Sequence, residues 1–497
     1  MSDFLAFLAV LYPFYFLILL FSTILLALKK TKFAFPGRAF FVLIVLALIL
    51  RVRYSEHMDL DPYCWGYILD AGIITNFFSL QWLRLASLAN ALHIPGYAFL
   101  EALPLSLSFD FDSIWWMNIL ASVAGIFVIF QLAFKATKSF LGAFFSAALL
   151  AFSTLHIRLS GLETPMPVST LLVMASFFYL GSGTESNRRD NTVSLLLLLM
   201  AVNIKLENIV FFGVFLLGII RSGDRKTLKW SAVLLCVTAF FALPYFINHH
   251  SALKYIRGIQ AGYAGYSMYG LPDFFKNLAV ALKLGWSLII IAPAGYFLLR
   301  RVKKETPDLS MYVIWLFCGL ILFSFYDKVS ITTNLMQISL PVYCLFGYCL
   351  SEAVEIIFHQ QAAKRAIAAC VIMALGIDAA NTLRYPRQPD WRDLKKQIPL
   401  LSPRDCVITL GAYHAGAQLR LIFPRARWIF FEDRNADSQI ASCRGQLYYL
   451  NPVNFGLQEE TDNKNALSWE QKIRDRFVLT RIGRIDFFRL GARQDNP

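Results

Sequence analysis

Arg51-Val52-Arg53-Tyr54-Ser55-Glu56-His57-Met58-Asp59-Leu60-Asp61-Pro62-Tyr63 leaves one apolar run and enters a segment, 54–112, of nearly sixty residues before the next run begins. Glu56, Asp59 and Asp61 place three carboxylates within six positions. They repel one another unless a cation, a proton or a substrate donor compensates them, and that is how a site obtains a tuned general base. Asp61 before Pro62 also reads as an N-cap with proline at the first helical position, opening a helix over Tyr63 to Asp70 that Gly72 would stop. The two readings are compatible, because a capped carboxylate is fixed in direction. Asp59 has no such structural role. His57 reads either as a solvated interface histidine or, beside two carboxylates, as a ligand to a divalent ion.

Outward from this stretch the chain is overwhelmingly apolar. Of its 497 residues 57% are hydrophobic and 16% charged, which excludes an ordinary soluble enzyme. The last 113 residues hold 31 of the 80 charged side chains, so the chain divides into a transmembrane domain, 1–384, and a water-soluble domain, 385–497. Apolar runs near 4–28, 39–54, 113–134, 139–157, 165–181, 192–204, 207–220, 230–248, 278–299, 310–326, 333–350 and 366–384 predict about twelve spans. The pair 192–204 and 207–220 also reads as one kinked helix, which would invert everything after it.

Basic residues in short loops stay cytoplasmic. With the amino terminus outside, Lys29, Lys30, Lys32 and Arg38, then Lys135 and Lys138, and each later basic loop through Lys364 and Arg365 fall inside. That choice puts the acidic segment 54–112 and the C-terminal domain on the extracytoplasmic face of a multi-pass cell membrane protein, with the bacterial inner membrane as the expected site. The net charge of +14 is therefore a signal of topology, and no nucleic-acid motif accompanies it. Eight cysteines show no zinc or redox spacing; Cys406 and Cys443 could bridge in an oxidising compartment.

The rest of the long loop continues as a helix carrying Leu80, Leu83, Leu85, Leu88 and Leu92, suited to lie in the membrane interface. His93-Ile94-Pro95-Gly96-Tyr97 breaks it before an apolar helix over Ala98 to Leu107. Two further outer turns carry ionisable groups at membrane depth, where they are costly. These are Arg158-Leu159-Ser160-Gly161-Leu162-Glu163-Thr164 and Lys205-Leu206-Glu207. Each reads as an ion pair locking two helices, or as a cation gripping a phosphate while a carboxylate orients a sugar hydroxyl. A second outer loop, from His249 to about Asn277, brings Lys254, Arg257 and Tyr263 together with glycines, as a flap over an anionic glycolipid would. In the tail, strands are expected at Cys406 to Leu410, Arg427 to Phe431, Phe477 to Thr480 and Asp486 to Leu490, with a helix at Ala415 to Leu421.

Together these stretches resemble the GT-C membrane glycosyltransferases. Asp59-Leu60-Asp61-Pro62-Tyr63 resembles that family's acidic pair followed by tyrosine. Ser160-Gly161-Leu162-Glu163-Thr164 resembles the SGLET segment of the cell-wall arabinofuranosyltransferase branch. Asp390-Trp391-Arg392 resembles the DWR that opens the soluble domain of protein-mannosyltransferase-like relatives. This chain splits the acidic pair with Leu60, carries Lys205 where that branch has arginine, and adds a span before the acidic loop. The resemblance implies an α-helical, GT-C-like multispan fold with a small C-terminal α/β extracytoplasmic domain. It also implies a polyprenyl-phosphate sugar donor, a lipid, glycan or protein acceptor, inversion at the anomeric carbon, and Asp59 or Asp61 as catalytic base. Glu56, His57, His93, Arg158, Glu163, Lys205, Glu207, Lys254, Arg257 and Tyr263 are the expected substrate-binding residues. No cofactor is certain; a divalent cation, Mg or Mn, bridging carboxylates and phosphate stays open. The alternative from another class is a multispan transporter or lipid-linked-sugar flippase, although internal repeats and midplane charges are not evident.

Overall fold

The computed structural model describes residues 2–27, 37–54, 65–91, 94–107, 112–161, 164–180, 188–260, 271–283, 286–303, 306–321, 331–383, 401–409, 426–430, 435–450, 471–482 and 487–492. Sixteen helices among these build the apolar part. They are α1 (Ser2–Ala27), α2 (Gly37–Tyr54), α3 (Trp65–Phe78), α4 (Gly96–Ser106), α5 (Asp112–Thr137), α6 (Phe140–Phe152), α7 (Thr154–Leu159), α8 (Met166–Tyr179), α9 (Arg188–Ile204), α10 (Phe212–Ser222), α11 (Arg225–Gln260), α12 (Leu271–Lys283), α13 (Leu288–Val302), α14 (Ser310–Ile321), α15 (Ile331–Ile357) and α16 (Gln361–Thr382). Among the described residues, four helices have both the length and the apolarity to cross a bilayer unaided: Asp3–Ala27, Ser113–Thr137, Arg225–Tyr245 and Leu335–Ile357. The other expected spans are shorter or carry more charge, and pack around these four.

The doubtful pair near 192–220 is a hairpin. A 3-10 turn, Leu206–Phe211, separates α9 from α10. At the far end the Asn191 amide donates to Asp224 Oδ2 at 3.0 Å, so the start of α9 lies beside the end of α10. The two helices are antiparallel, as the reading of two separate segments expects.

Several boundaries differ from the sequence expectation. The run 139–157 breaks at Ser153 into α6 and α7, with Ser153 in extended geometry. The helix expected to stop at Gly72 continues to Phe78, because Ile74 and Phe77 beyond the glycine are buried in the core. The interfacial segment is a 3-10 helix, Trp82–Asn90, rather than an α-helix; it buries Leu85 and Leu88 and leaves Leu83 92% exposed. The second outer loop is shorter than expected: α11 runs on to Gln260 and α12 begins at Leu271, so Lys254 and Arg257 are helical rather than part of a flap. Residues 278–299, expected as one span, are divided between α12 and α13.

Five strands form the C-terminal sheet: β1 (Cys406–Thr409), β2 (Arg427–Phe430), β3 (Leu447–Leu450), β4 (Phe477–Arg481) and β5 (Phe487–Ala492), in the order β2-β1-β3-β5-β4. β2, β1 and β3 are parallel; β5 pairs antiparallel with both β3 and β4. Alternation divides the sheet's side chains between two cores. Val407, Trp428, Leu450 and Phe487 pack on Ile114, Trp115 and Ile119 of α5, with Leu48 and Val52 of α2 beside them. Cys406, Ile408, Ile429 and Tyr449 face the short helix α17 (Ala436–Ala441). A Cys406–Cys443 disulfide closes that second face. The sheet thus rests on the end of the bundle where α2 finishes and α5 begins. The expected helix Ala415 to Leu421, the DWR stretch and the tail's opening residues lie outside the described residues.

Candidate active site

Four chain breaks meet at the sheet-bearing end of the bundle, each held by contacts between elements distant in sequence. The end of α2 is fixed by Arg51, whose side chain is fully buried. Its Nε donates to Ser122 Oγ at 2.8 Å; Nη1 donates to the carbonyls of Ala47 and Ala151 at 3.2 and 3.1 Å, and Nη2 to that of Leu150 at 3.2 Å. Ala151 and Leu150 lie in the last turn of α6, where carbonyls lose their helical partners and the helix dipole is negative. A guanidinium there satisfies both without a carboxylate. The clamp joins the last turn of α2, which leads directly into Glu56, His57, Asp59 and Asp61, to the α6–α7 break, two turns before Arg158.

The second break is the α7–α8 turn. Arg158 ends α7 half-buried, Ser160 and Thr164 are buried, and Ser160 Oγ donates back to the Ile157 carbonyl at 2.7 Å. Asn118 of α5 donates to the Thr164 carbonyl at 3.3 Å and to the Tyr97 hydroxyl of α4 at 2.8 Å, tying this turn to the outer-loop helices.

The third is the 3-10 turn after α9. Lys205 lies with Nζ 3.3 Å from Met166 Sδ, at the first turn of α8, and Glu207 is half-buried one residue into the turn. A buried amide cluster holds this turn. Asn208 Nδ2 donates to Ser169 Oγ and to the Ala201 carbonyl, both at 2.7 Å, and Gln337 Nε2 of α15 donates to Asn208 Oδ1 at 2.7 Å and to Ser169 Oγ at 3.0 Å. α15 also reaches the second break, where the buried His156 Nε2 and Ser339 Oγ are 2.8 Å apart.

The fourth is the start of α4. A Cβ on Gly96 would lie 2.3 Å from the Asn203 carbonyl oxygen, so only glycine lets α4 approach the end of α9 two residues before Lys205. The structure therefore brings the Arg158 turn and the Lys205 turn side by side, with α4 and the exit of α2 around them.

Among the expected site residues, Arg158, Lys205 and Glu207 belong to this convergence. Lys254 and Arg257 lie on the last turns of α11. Glu56, His57, Asp59, Asp61, His93, Glu163 and Tyr263 are outside the described residues. No group of three or more metal-ligating side chains occurs among the described residues. Sequence reading passed over Asp70 and Glu101, both buried. Burial alone holds the Asp70 carboxyl well above the usual carboxylate range, and its Oδ2 has no hydrogen-bond partner among the described residues. Each is a single carboxylate inside an apolar helical run, and that isolation was the available signal.

Two crystal structures of ArnT from Cupriavidus metallidurans, one apo and one bound to undecaprenyl phosphate, match 90% of this chain and 97% of theirs. Each superposes with a TM-score of 0.52, at 12% and 13% sequence identity. The chain has the GT-C fold. No protein-family model and no curated protein sequence matches it. At that identity the likeness carries the fold and no side-chain role.

Proposed function

We propose that the chain is an integral membrane glycosyltransferase that takes a sugar from a polyprenyl-phosphate donor and transfers it to a hydroxyl of an extracytoplasmic lipid, glycan or protein. The observation that carries the reading is the meeting of the Arg158 and Lys205 turns beside the exit of α2, in a fold shared with a protein crystallised on undecaprenyl phosphate. Cations at membrane depth suit an anion delivered from the bilayer.

In this mechanism Asp59 or Asp61 takes the proton of the acceptor hydroxyl. The acceptor oxygen forms a bond to the anomeric carbon while the bond from that carbon to the phosphate oxygen breaks, and its electron pair leaves with the polyprenyl phosphate. Lys205 and Arg158 meet the charge that develops on the phosphate, and Arg257 is a further cation assigned to substrate binding. Attack opposite the leaving phosphate inverts the anomeric centre. Glu56, His57, Glu163 and Glu207 orient sugar hydroxyls; His93, Lys254 and Tyr263 are assigned to substrate binding. A divalent cation, Mg or Mn, would supply further charge neutralisation between the acidic loop and the phosphate. The orientation that serves this chemistry has the acidic loop, the sheet and its Cys406–Cys443 disulfide on the oxidising, extracytoplasmic side. Residues 1–384 then form the catalytic membrane domain and 385–497 a cap that binds the acceptor.

Undecaprenyl phosphate binding to the purified protein tests this, with undecaprenol as the uncharged comparison. The phosphate should bind at least tenfold more tightly, and Lys205→Met should remove most of that difference. Equal binding of phosphate and alcohol would contradict the assignment of Lys205.

A further inference from the structure

At the opposite end of the bundle, α11 presents a second set of cations that the proposed reaction does not use. Lys226, Lys229, Trp230 and Val233 line a surface cavity of about 300 Å³. Their spacing puts them on one face of the helix, and Val237 and Phe240 continue the stripe. Trp230 and Val233 are 56% and 50% exposed, and Phe240, also exposed, stacks edge-on against Phe4 of α1 with ring centres 6.0 Å apart.

The cations in this region divide into two groups. Arg221 is engaged by Ser310 Oγ at 2.9 Å and by Asp308 at 3.9 Å. Asp224, the nearest acid in sequence, is occupied: it accepts from the Thr227 amide at 3.0 Å, the Thr227 hydroxyl at 2.6 Å and Asn191 at 3.0 Å. Lys226 and Lys229 are exposed and form no ion pair or hydrogen bond among the described residues. The two lysines thus border the cavity with their aliphatic stems, and among the described residues no acid pairs with either ammonium group.

Along the same stripe the chemistry changes in the order of a phospholipid. The ammonium groups come first, then an indole at the depth where tryptophan prefers the headgroup boundary, then only apolar side chains. From Lys229 to Phe240 is eleven residues, roughly 16 Å of helix axis, which matches about half of a ~30 Å hydrocarbon core.

We propose that this stripe is a binding site for one anionic phospholipid of the leaflet opposite the acidic loop. The headgroup phosphate sits between Lys226 and Lys229, the glycerol edge rests on Trp230, and an acyl chain follows Val233, Val237 and Phe240 toward α1. The site is independent of the transfer reaction and holds whether or not that reaction is confirmed.

Native mass spectrometry of the purified protein, equilibrated with equal amounts of phosphatidylglycerol and phosphatidylcholine, tests the proposal. Wild type should retain phosphatidylglycerol preferentially. Each lysine is worth about fivefold near an anionic surface, so the double variant Lys226→Gln, Lys229→Gln should lose about 25-fold of that preference. Trp230→Ala should weaken both lipids, and Arg300→Gln with Arg301→Gln, a basic pair at the end of α13 that does not line the cavity, should change retention by less than about twofold. Equal retention of the two lipids by wild type, or equal loss in the two double variants, would overturn the site in favour of diffuse surface charge. Displacement of phosphatidylglycerol by millimolar inorganic phosphate would overturn the lipid assignment.

Discussion

Replacing Arg51 by methionine removes the side chain that hydrogen-bonds the exit of α2 to the last turn of α6. The Ala47 carbonyl keeps its helical partner and the Ser122 hydroxyl can turn to another acceptor, so the cost falls on the Leu150 and Ala151 carbonyls. Each buried acceptor left without a donor costs about 1–3 kcal/mol. Two of them give about 3 kcal/mol, taking the lower half of the range because the chain can relax at Ser153. Methionine restores the packing volume, so the loss reports on hydrogen bonding rather than on a cavity. This differs from a buried salt bridge, where an apolar pair can replace both partners; here the acceptors are backbone and remain. Thermal melting in detergent should drop by about 3 °C for Arg51→Met. Arg51→Lys, which can reach one carbonyl but not both, should recover about half. Turnover should fall by at least tenfold with a smaller change in KM, because the acidic loop loses its anchor while the donor site stays. Melting of Arg51→Met indistinguishable from wild type would refute the clamp.

Three other outcomes follow from the structure. Gly96→Ala should destabilise the outer-loop helices, since its Cβ would lie 2.3 Å from backbone at Asn203, and Arg53→Ala near the exit of α2 should cost less; the proteolysis rate of the 54–112 segment is the readout. Breaking the Cys406–Cys443 disulfide, which closes a loop with a sequence separation of 37, should cost about 4 kcal/mol of sheet-domain stability, measured as the melting shift of Cys443→Ser with and without reductant. Asp70 has a folded-state pKa raised by burial, so it binds a proton in the native state that the unfolded chain releases above about pH 4. Stability should therefore decline as pH rises from there toward the folded value, and the melting temperature of wild type should fall more steeply than that of Asp70→Asn as pH is raised above about 4. Parallel slopes would remove Asp70 as the linked group.

The apolar helices were legible because a bilayer demands long apolar runs, and four of them have the length and apolarity to cross one. The strands were legible for a related reason: Cys406 to Thr409 and Arg427 to Phe430 are short apolar or alternating runs between turn residues. The break at Ser153 and the 3-10 geometry over Trp82–Asn90 were not legible, since both depend on partners far away in sequence. Ser153 takes a hydrogen bond from Tyr343 of α15, and Leu85 and Leu88 of the 3-10 helix are buried in a core shared with α1. Ionisable residues in otherwise apolar surroundings drew attention to Arg158 and Lys205, whose turns the fold brings together. Neutral amides gave no such warning. Asn118, Asn208 and Gln337 hold the turns in place, yet in sequence they are single polar residues within helices, and only their convergence shows what they do.

The central claim is that carboxylates following α2 deprotonate an acceptor during sugar transfer from a polyprenyl phosphate. Its most direct test is release of free polyprenyl phosphate from a membrane extract containing sugar-loaded carriers, catalysed by the reconstituted protein. Wild type should release it in proportion to glycosylated acceptor, and Asp59→Asn combined with Asp61→Asn should abolish release while leaving undecaprenyl phosphate binding intact. Undiminished release by the double variant, or movement of the intact loaded carrier across the bilayer with no release by wild type, would contradict the account.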